Sequence, residues 1–319
     1  IKLLVDCLKQ ITAHKPHTRL FAGLIILAAN AGGAFSPIGD VTTIMLWVRG
    51  MLSTTGVILQ VFLPSVASLL VPCILLHFRF KGELPVIKED AADNEGQEFS
   101  KKERNIVFVL GVGGLLFVPI FKMLTHLAPY VGILLVLGVL WTAVEVLLAR
   151  KKNAHLMSTH RVTNMLQKID MTTILFFLGI LMTVATLQEV GVLCAFGQWL
   201  NEATDANYYV ITGVIGAASS IVDNVPLVAG CMGMYPIEAA GALAQDGLFW
   251  QLLAYCAGVG GSMLIIGSAA GVVVMGLENI SFGWYLKNIS WLALAGYLAG
   301  IAVYAIQHPL FVSMGIIPA

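Results

Sequence analysis

Residues 30–44 read Asn-Ala-Gly-Gly-Ala-Phe-Ser-Pro-Ile-Gly-Asp-Val-Thr-Thr-Ile and interrupt an apolar run that extends from Leu20 to Val48. Gly32, Gly33, Pro37 and Gly39 should break a helix here. In soluble sequence this would be an ordinary Gly/Pro turn. Inside a hydrophobic segment, broken backbone survives only where protein or a water-filled cavity covers it. Asp40 in the break is then an intramembrane carboxylate, which marks a functional site by default. The plainer alternative is a proline-kinked span with Asp40 already among the lipid headgroups.

The rest of the chain fits a membrane setting. Its 319 residues are 58% hydrophobic and 11% charged, against roughly 25% charged in soluble domains. The pattern is that of an all-α polytopic membrane protein. Net charge is zero, so no basic surface argues for nucleic acid. The five cysteines are scattered, without a CxxC pair, which suggests neither a disulfide framework nor a zinc site.

Three parts are expected. Residues 1–79 hold an interrupted helix over 20–48 and a span over 56–77. Residues 80–170 hold linking spans, over 106–123 and 130–148, and two polar loops. Residues 171–319 hold a span over 171–187, a re-entrant hairpin over 208–235, an interrupted helix over 249–277 and a last span over 289–306. The hairpin arms, 208–221 and 225–235, are each too short for a core that needs roughly 20 helical residues. They meet at Val-Asp-Asn-Val-Pro, residues 222–226. Lys and Arg in short loops set orientation. They put 1–19, 79–104, 150–168 and Lys287 on the cytoplasmic side of a cell (inner) membrane and the C-terminus outside. Arg49 is the one cation on the wrong side.

Residues 28–48 align without gaps on residues 256–276, an offset of 228. Gly32 and Gly33 meet Gly260 and Gly261, Gly39 meets Gly267, and Asp40 meets Ser268. By the charge reading the two copies cross the membrane in opposite directions. Inverted repeats with discontinuous helices are a signature of secondary transporters that bind at mid-membrane. Glycine-rich membrane helices also match by chance, since small residues are common in them. The second copy has a hairpin before it. The first should have one too, preceding Ile1. Residues 30–39 and 260–267 are expected to be non-helical.

At these residues the sequence resembles the NhaD-type sodium/proton antiporters, in the superfamily that also holds arsenite pumps and dicarboxylate transporters. The resemblance rests on residues 30–44, 222–226 and the Gly-Gly-Ser-Met-Leu-Ile-Ile-Gly-Ser-Ala-Ala-Gly of 260–271. It implies an inverted-repeat transporter with two re-entrant hairpins and two interrupted helices, usually a homodimer in the lipid bilayer. It implies no cofactor and no catalysis, with Na⁺ and H⁺ as the transported ions and Li⁺ a second candidate. By matching position, Asn30, Asp40, Thr42 and Thr43 are the polar residues of the first break. Asp223 and Asn224 sit on the hairpin, and Ser262 and Ser268 on the second break. Sodium is placed at Asp223, Asn224 and Asp40. Dicarboxylate relatives carry Ser-Asn-Thr at the hairpin tip, where this chain has Asp-Asn-Val, which favours a cation.

The chemistry agrees. Sodium is a hard cation that takes several oxygen ligands. Carboxylates, amides, hydroxyls and unwound carbonyls supply them. One carboxylate withdrawn from water holds a proton or a sodium ion, rarely both. Mutual exclusion with alternating access is antiport. Asp40 and Asp223 could instead cap helices, and the hydroxyls and Asn30 could serve only as hydrogen bonds between helices. Two other functions compete: a cation-coupled anion transporter of the dicarboxylate or arsenite type, and, more remotely, an intramembrane aspartyl protease using Asp40 and Asp223. Against the protease, Pro37 stands two residues before Gly39 where that motif needs glycine.

Overall fold

With no water to satisfy it, an apolar segment must close its backbone hydrogen bonds internally, and a helix does so within one segment. In the computed structural model, which describes residues 15–79, 100–151, 171–315 and 317, the elements are helical, with one isolated bridge between Glu238 and Ala244. Among the described residues four helical runs are long and apolar enough to span a membrane: Thr54–Phe78, Lys102–Thr125, Pro129–Ala149 and Phe282–Ser313. A fifth span is possible from Ile174–Glu189 with Val192–Ala203, bent by 74°. Gly191 makes that bend in a left-handed conformation, φ +81°. The protein is an all-α, multi-pass membrane protein.

The elements in order are α1 (Lys15–Ala34), α2 (Val41–Val48), α3 (Thr54–Arg79), α4 (Lys101–Thr125), α5 (Pro129–Lys151), α6 (Met171–Glu189) and α7 (Val192–Ala203). Then follow α8 (Tyr208–Ala218), α9 (Asn224–Met234), α10 (Leu248–Gly260), a 3₁₀ turn (Gly261–Met263), α11 (Ala269–Glu278), α12 (Phe282–Tyr285), a π turn (Leu286–Ser290) and α13 (Trp291–Ser313). Two compact units emerge. One comprises residues 88–178, in which α4 and α5 pack on each other. The other comprises 1–87 and 179–319 and contains both breaks and the hairpin.

The core of the larger unit is α10, buried along almost its whole length. It packs on α1, α3, α8 and α13. α13 packs along the length of α3, and prolines explain how. Pro64 cannot donate to the carbonyl of Gln60, four residues back. The Gln307 amide of α13 donates there instead, at 3.3 Å, and to Leu59 O at 3.1 Å. Pro72 likewise frees the Ser68 carbonyl, against which Gly296 of α13 packs. Neighbouring helices commonly re-satisfy carbonyls freed in this way, and α3 stays one helix from Thr54 to Arg79 despite both prolines.

Asp246, just before α10, latches that helix to the segment after α2. Its Oδ1 accepts from Ser53 N at 2.7 Å and Gln251 Nε2 at 2.8 Å. Its own N–H donates to Met51 O at 2.9 Å, and its carbonyl accepts from Gln60 Nε2 at 3.0 Å.

Three expectations need correction. Residues 30–34 are helical, because α1 runs to Ala34. Glycine is tolerated in a helix at a cost of only about 1 kcal/mol, so Gly32 and Gly33 do not end it; Pro37 does, and the break is 35–40. Gly260 closes α10, and the second break begins with a 3₁₀ turn at Gly261. Lys287 lies in the π turn of a continuous helical run, 282–313, and not in a loop ahead of a span starting at 289. Most of the segments 1–19, 79–104 and 150–168, on which the orientation reading depends, lie outside the described residues.

Replacing Gln307 by Leu should leave the Gln60 carbonyl buried and unpaired. The expected cost is about 1–3 kcal/mol, read as a lower melting temperature in detergent. Asp246→Ala should cost a similar amount, whereas Asp246→Asn keeps an acceptor oxygen and should lose less. Equal melting of the two Asp246 variants would refute the latch.

Candidate functional site

Each break is built the same way. A methyl group on Gly33 would lie 3.0 Å from Gly39 O, and one on Gly39 would lie 2.6 Å from Gly33 O. At the second break the corresponding separations are 2.5 Å for Gly261 and 2.6 Å for Gly267. Gly39 N donates to Ser36 O at 3.1 Å, and Gly267 N to Leu264 O at 3.0 Å. Ile44 N donates to Asp40 O and Val272 N to Ser268 O, opening α2 and α11 respectively. Asp40 is extended at φ −138°, ψ 153°, and Ser268 at φ −148°, ψ 151°. Every one of these pairs is separated by the same 228 residues. The two breaks are one local structure built twice, ended by an acid in one copy and a hydroxyl in the other.

Asp40 caps α2. Its Oδ1 accepts from Val41 N at 2.7 Å, and its Oδ2 accepts from Thr42 Oγ1 at 2.7 Å. Oδ2 also accepts from Asn224 Nδ2 at 3.0 Å, across 184 residues of sequence. Thr42 is fully buried. Asn224 opens α9, the second arm of the hairpin. Tyr208 and Tyr235, at the outer ends of the two arms, place their rings 6.3 Å apart, so the chain goes in and returns. Eleven residues per arm reach about 16 Å. A single kinked span would hold those rings far apart.

Asp223 precedes Asn224 as the N-cap of α9, without a side-chain capping bond. It is the chain neighbour of Asn224, whose amide bonds Asp40. Thr43 is fully buried, and its Oγ1 has no hydrogen-bond partner among the described residues; nor has Nδ2 of Asn30, on α1. Asp40, Thr42 and Asn224 thus form one hydrogen-bonded cluster. Asp40 meets the tip of the hairpin formed by α8 and α9.

Ser262 and Ser268 are engaged elsewhere. Ser262 Oγ donates to Val259 O, and Ser268 Oγ accepts from Gly271 N at 3.2 Å as the cap of α11. The tip residues next to the second break are ones the sequence reading passed over. A methyl on Gly267 would lie 2.6 Å from Ser220 Cα. Ser219 Oγ donates to Gly216 O at 2.7 Å and reaches Ala257 O of α10 at 3.3 Å. The signal was present as a Ser-Ser pair one turn before Asp223, two small polar residues in an apolar arm. Gly258 was also missed: a methyl there would lie 3.0 Å from Ala34 Cβ and 3.8 Å from Asp40 Oδ2, which sets α10 beside the acid.

Chemically the cluster offers hard oxygen donors. Among the described residues no group of three or more His, Cys, Asp or Glu side chains is placed to share a metal. The site combines carboxylates with neutral hydroxyls and amides.

A family described as Citrate transporter matches residues 8–251. Sodium/proton antiporter 1 of Arabidopsis thaliana is 44% identical over 97% of this chain and 52% of its own length. Sodium/proton antiporter 2 of the same plant is 42% identical, over 96% of this chain and 71% of its own. The Na(+)/H(+) antiporter NhaD of Vibrio cholerae is 32% identical, over 89% and 61%. The chain therefore spans about half the length of the first of these relatives. No solved structure gives a significant match. The chain belongs to the citrate-transporter family and, within it, groups with the NhaD-type sodium/proton antiporters.

Proposed function

We propose that this chain carries the ion-exchanging centre of a secondary transporter that moves Na⁺, or Li⁺ in its place, against H⁺. The observation that carries the reading is the occupancy of Asp40. A carboxylate has about four lone-pair positions, two on each oxygen. On Oδ2 both are used, by Thr42 and Asn224. On Oδ1 Val41 N uses one. One position remains, and a proton and a sodium ion compete for it. An uncompensated charge in a membrane interior is costly, so one occupant replaces the other. Asp223, free of side-chain hydrogen bonds among the described residues, is the second exchangeable group. Thr43 Oγ1 and the Asn30 amide complete the oxygen set, with Ser262, Ser268 and carbonyls of 261–267 on the neighbouring break.

The second reading, a cation-coupled anion carrier, is favoured by the description of the matched family. The cluster's composition speaks against it: its charged members, Asp40 and Asp223, are both acids. The relatives named sodium/proton antiporters favour the first reading. We place the protein in a cell membrane as a homodimer with its basic loops cytoplasmic, on the strength of the charge pattern and the family resemblance.

In vesicles holding the full-length protein, Asp40→Asn and Asp223→Asn should each abolish Na⁺-dependent proton movement, measured as dequenching of a pH-gradient dye, while insertion is unchanged. Near-wild-type exchange in either variant removes that aspartate as an essential carrier. Asn224→Ala deletes a hydrogen bond to a charged group, an interaction of about 1.5–3 kcal/mol. The sodium concentration for half-maximal exchange should shift by about tenfold or more, and an unchanged value would disconnect the hairpin tip from the ion.

A further inference from the structure

A cavity of about 340 Å³ lies at the far end of α2 from Asp40. Its walls are the end of α2 with its C-cap (Met45, Arg49), α6 (Leu181, Ala185, Gln188) and α9 (Met232). We infer that it binds an acidic phospholipid of the surrounding bilayer, with the phosphate on Arg49 and an acyl chain in the cavity.

Three observations converge. First, the volume falls within the range of small-ligand pockets, about 300–1,000 Å³, and apolar side chains dominate the walls. Methionines at 45 and 232 adapt to a flexible chain better than branched residues do. Second, Arg49 is the cation that the charge reading places on the wrong side of the membrane. Its side chain is exposed and makes no ion pair with a carboxylate among the described residues. A lone guanidinium at the mouth of an apolar cavity complements one anionic head on one apolar tail, and guanidinium is well shaped for phosphate. Third, the mouth opens to lipid. Val48 and Leu181, both lining residues, are 50% and 43% exposed, and on a membrane protein exposed apolar surface of this kind faces acyl chains.

The position gives such a lipid leverage. α2 and α9 begin at the Asp40–Asn224 bond and both contribute walls to the cavity. The nine residue steps from Asp40 to Arg49 along α2 separate their backbones by about 14 Å. A chain between the two helices would set their spacing without touching the ion site.

The test measures retained lipid, so it stands apart from ion exchange. The purified full chain, stripped of lipid in detergent, is incubated with dioleoyl phosphatidylglycerol or dioleoyl phosphatidylcholine and weighed by native mass spectrometry. Phosphatidylglycerol should be retained in preference to phosphatidylcholine. Arg49→Gln should weaken its retention about fivefold, the worth of one basic residue at an anionic membrane surface. Ala185→Trp, at an exposed position, narrows the cavity with the guanidinium intact and should weaken retention as well. Millimolar inorganic phosphate should not displace the lipid. Wild-type retention in either variant, no preference for the acidic lipid, or displacement by phosphate overturns the proposal.

Discussion

Pro37 cannot donate a backbone hydrogen bond, and the rest of the site depends on that. The carbonyl it would have served is Gly33 O, which accepts from Ser36 N at 3.3 Å instead. The chain leaves the helix, turns through six residues and needs a new cap, because the first N–H groups of α2 have no intrahelical partner. In water any polar group could supply that cap. In an apolar surrounding it must come from the chain itself, and here it is a carboxylate. The acid is thus placed by the same defect that makes the backbone around it polar. Glycine at 33 and 39 lets the two sides of the break approach within van der Waals contact, so the opening stays narrow and defined.

The breaks could be located in the sequence because Gly, Pro and Asp are rare together within an apolar run. Their internal arrangement was less legible. Glycine pairs at 32–33 and 260–261 look like breakers, yet their neighbours in the chain keep them helical or nearly so. Proline, not glycine, fixes where α1 ends. The partner of Asp40 was not legible either. A hydrogen bond between residues 40 and 224 depends on how the hairpin folds back onto α2, and nothing local in either segment records it. Asp246 is the clearest miss. It lies beside a glycine, where Asp-Gly reads as a turn, and although Gln251 is only five residues away, only the tertiary structure brings Ser53 to its carboxylate.

The near identity of the two breaks makes their difference informative. The backbone is repeated to within a few tenths of an ångström in its hydrogen bonds, while the capping residue changes from Asp40 to Ser268. Either residue can satisfy the N-terminus of a helix, since both rank among good N-caps. A structural requirement alone would therefore be met by serine in both places. The carboxylate at 40 exceeds what capping needs, and it adds a charge where charge is costly. In the exchange reading proposed above, that excess is the physical reason for assigning the exchange chemistry to the first break and a supporting role to the second.

The hairpin restores some of the missing symmetry. Asp223, next in the chain to Asn224, adds a second acid to the tip that bonds Asp40, and Ser219 and Ser220 of the same tip lie against the second break. One short turn between α8 and α9 therefore touches both copies of the repeated structure. Its position on Asp40 rests on a single hydrogen bond from Asn224, to the oxygen that Thr42 also occupies. Two like charges held close repel unless one is neutralised. In the exchange reading, a proton or a sodium ion on Asp40 relieves that repulsion, and its departure restores it. The bond from Asn224 and the repulsion from Asp223 then act on the tip in opposite senses. Which of them prevails depends on what the one remaining lone-pair position of Asp40 holds, and that ties the occupancy of the ion site to the placement of the hairpin.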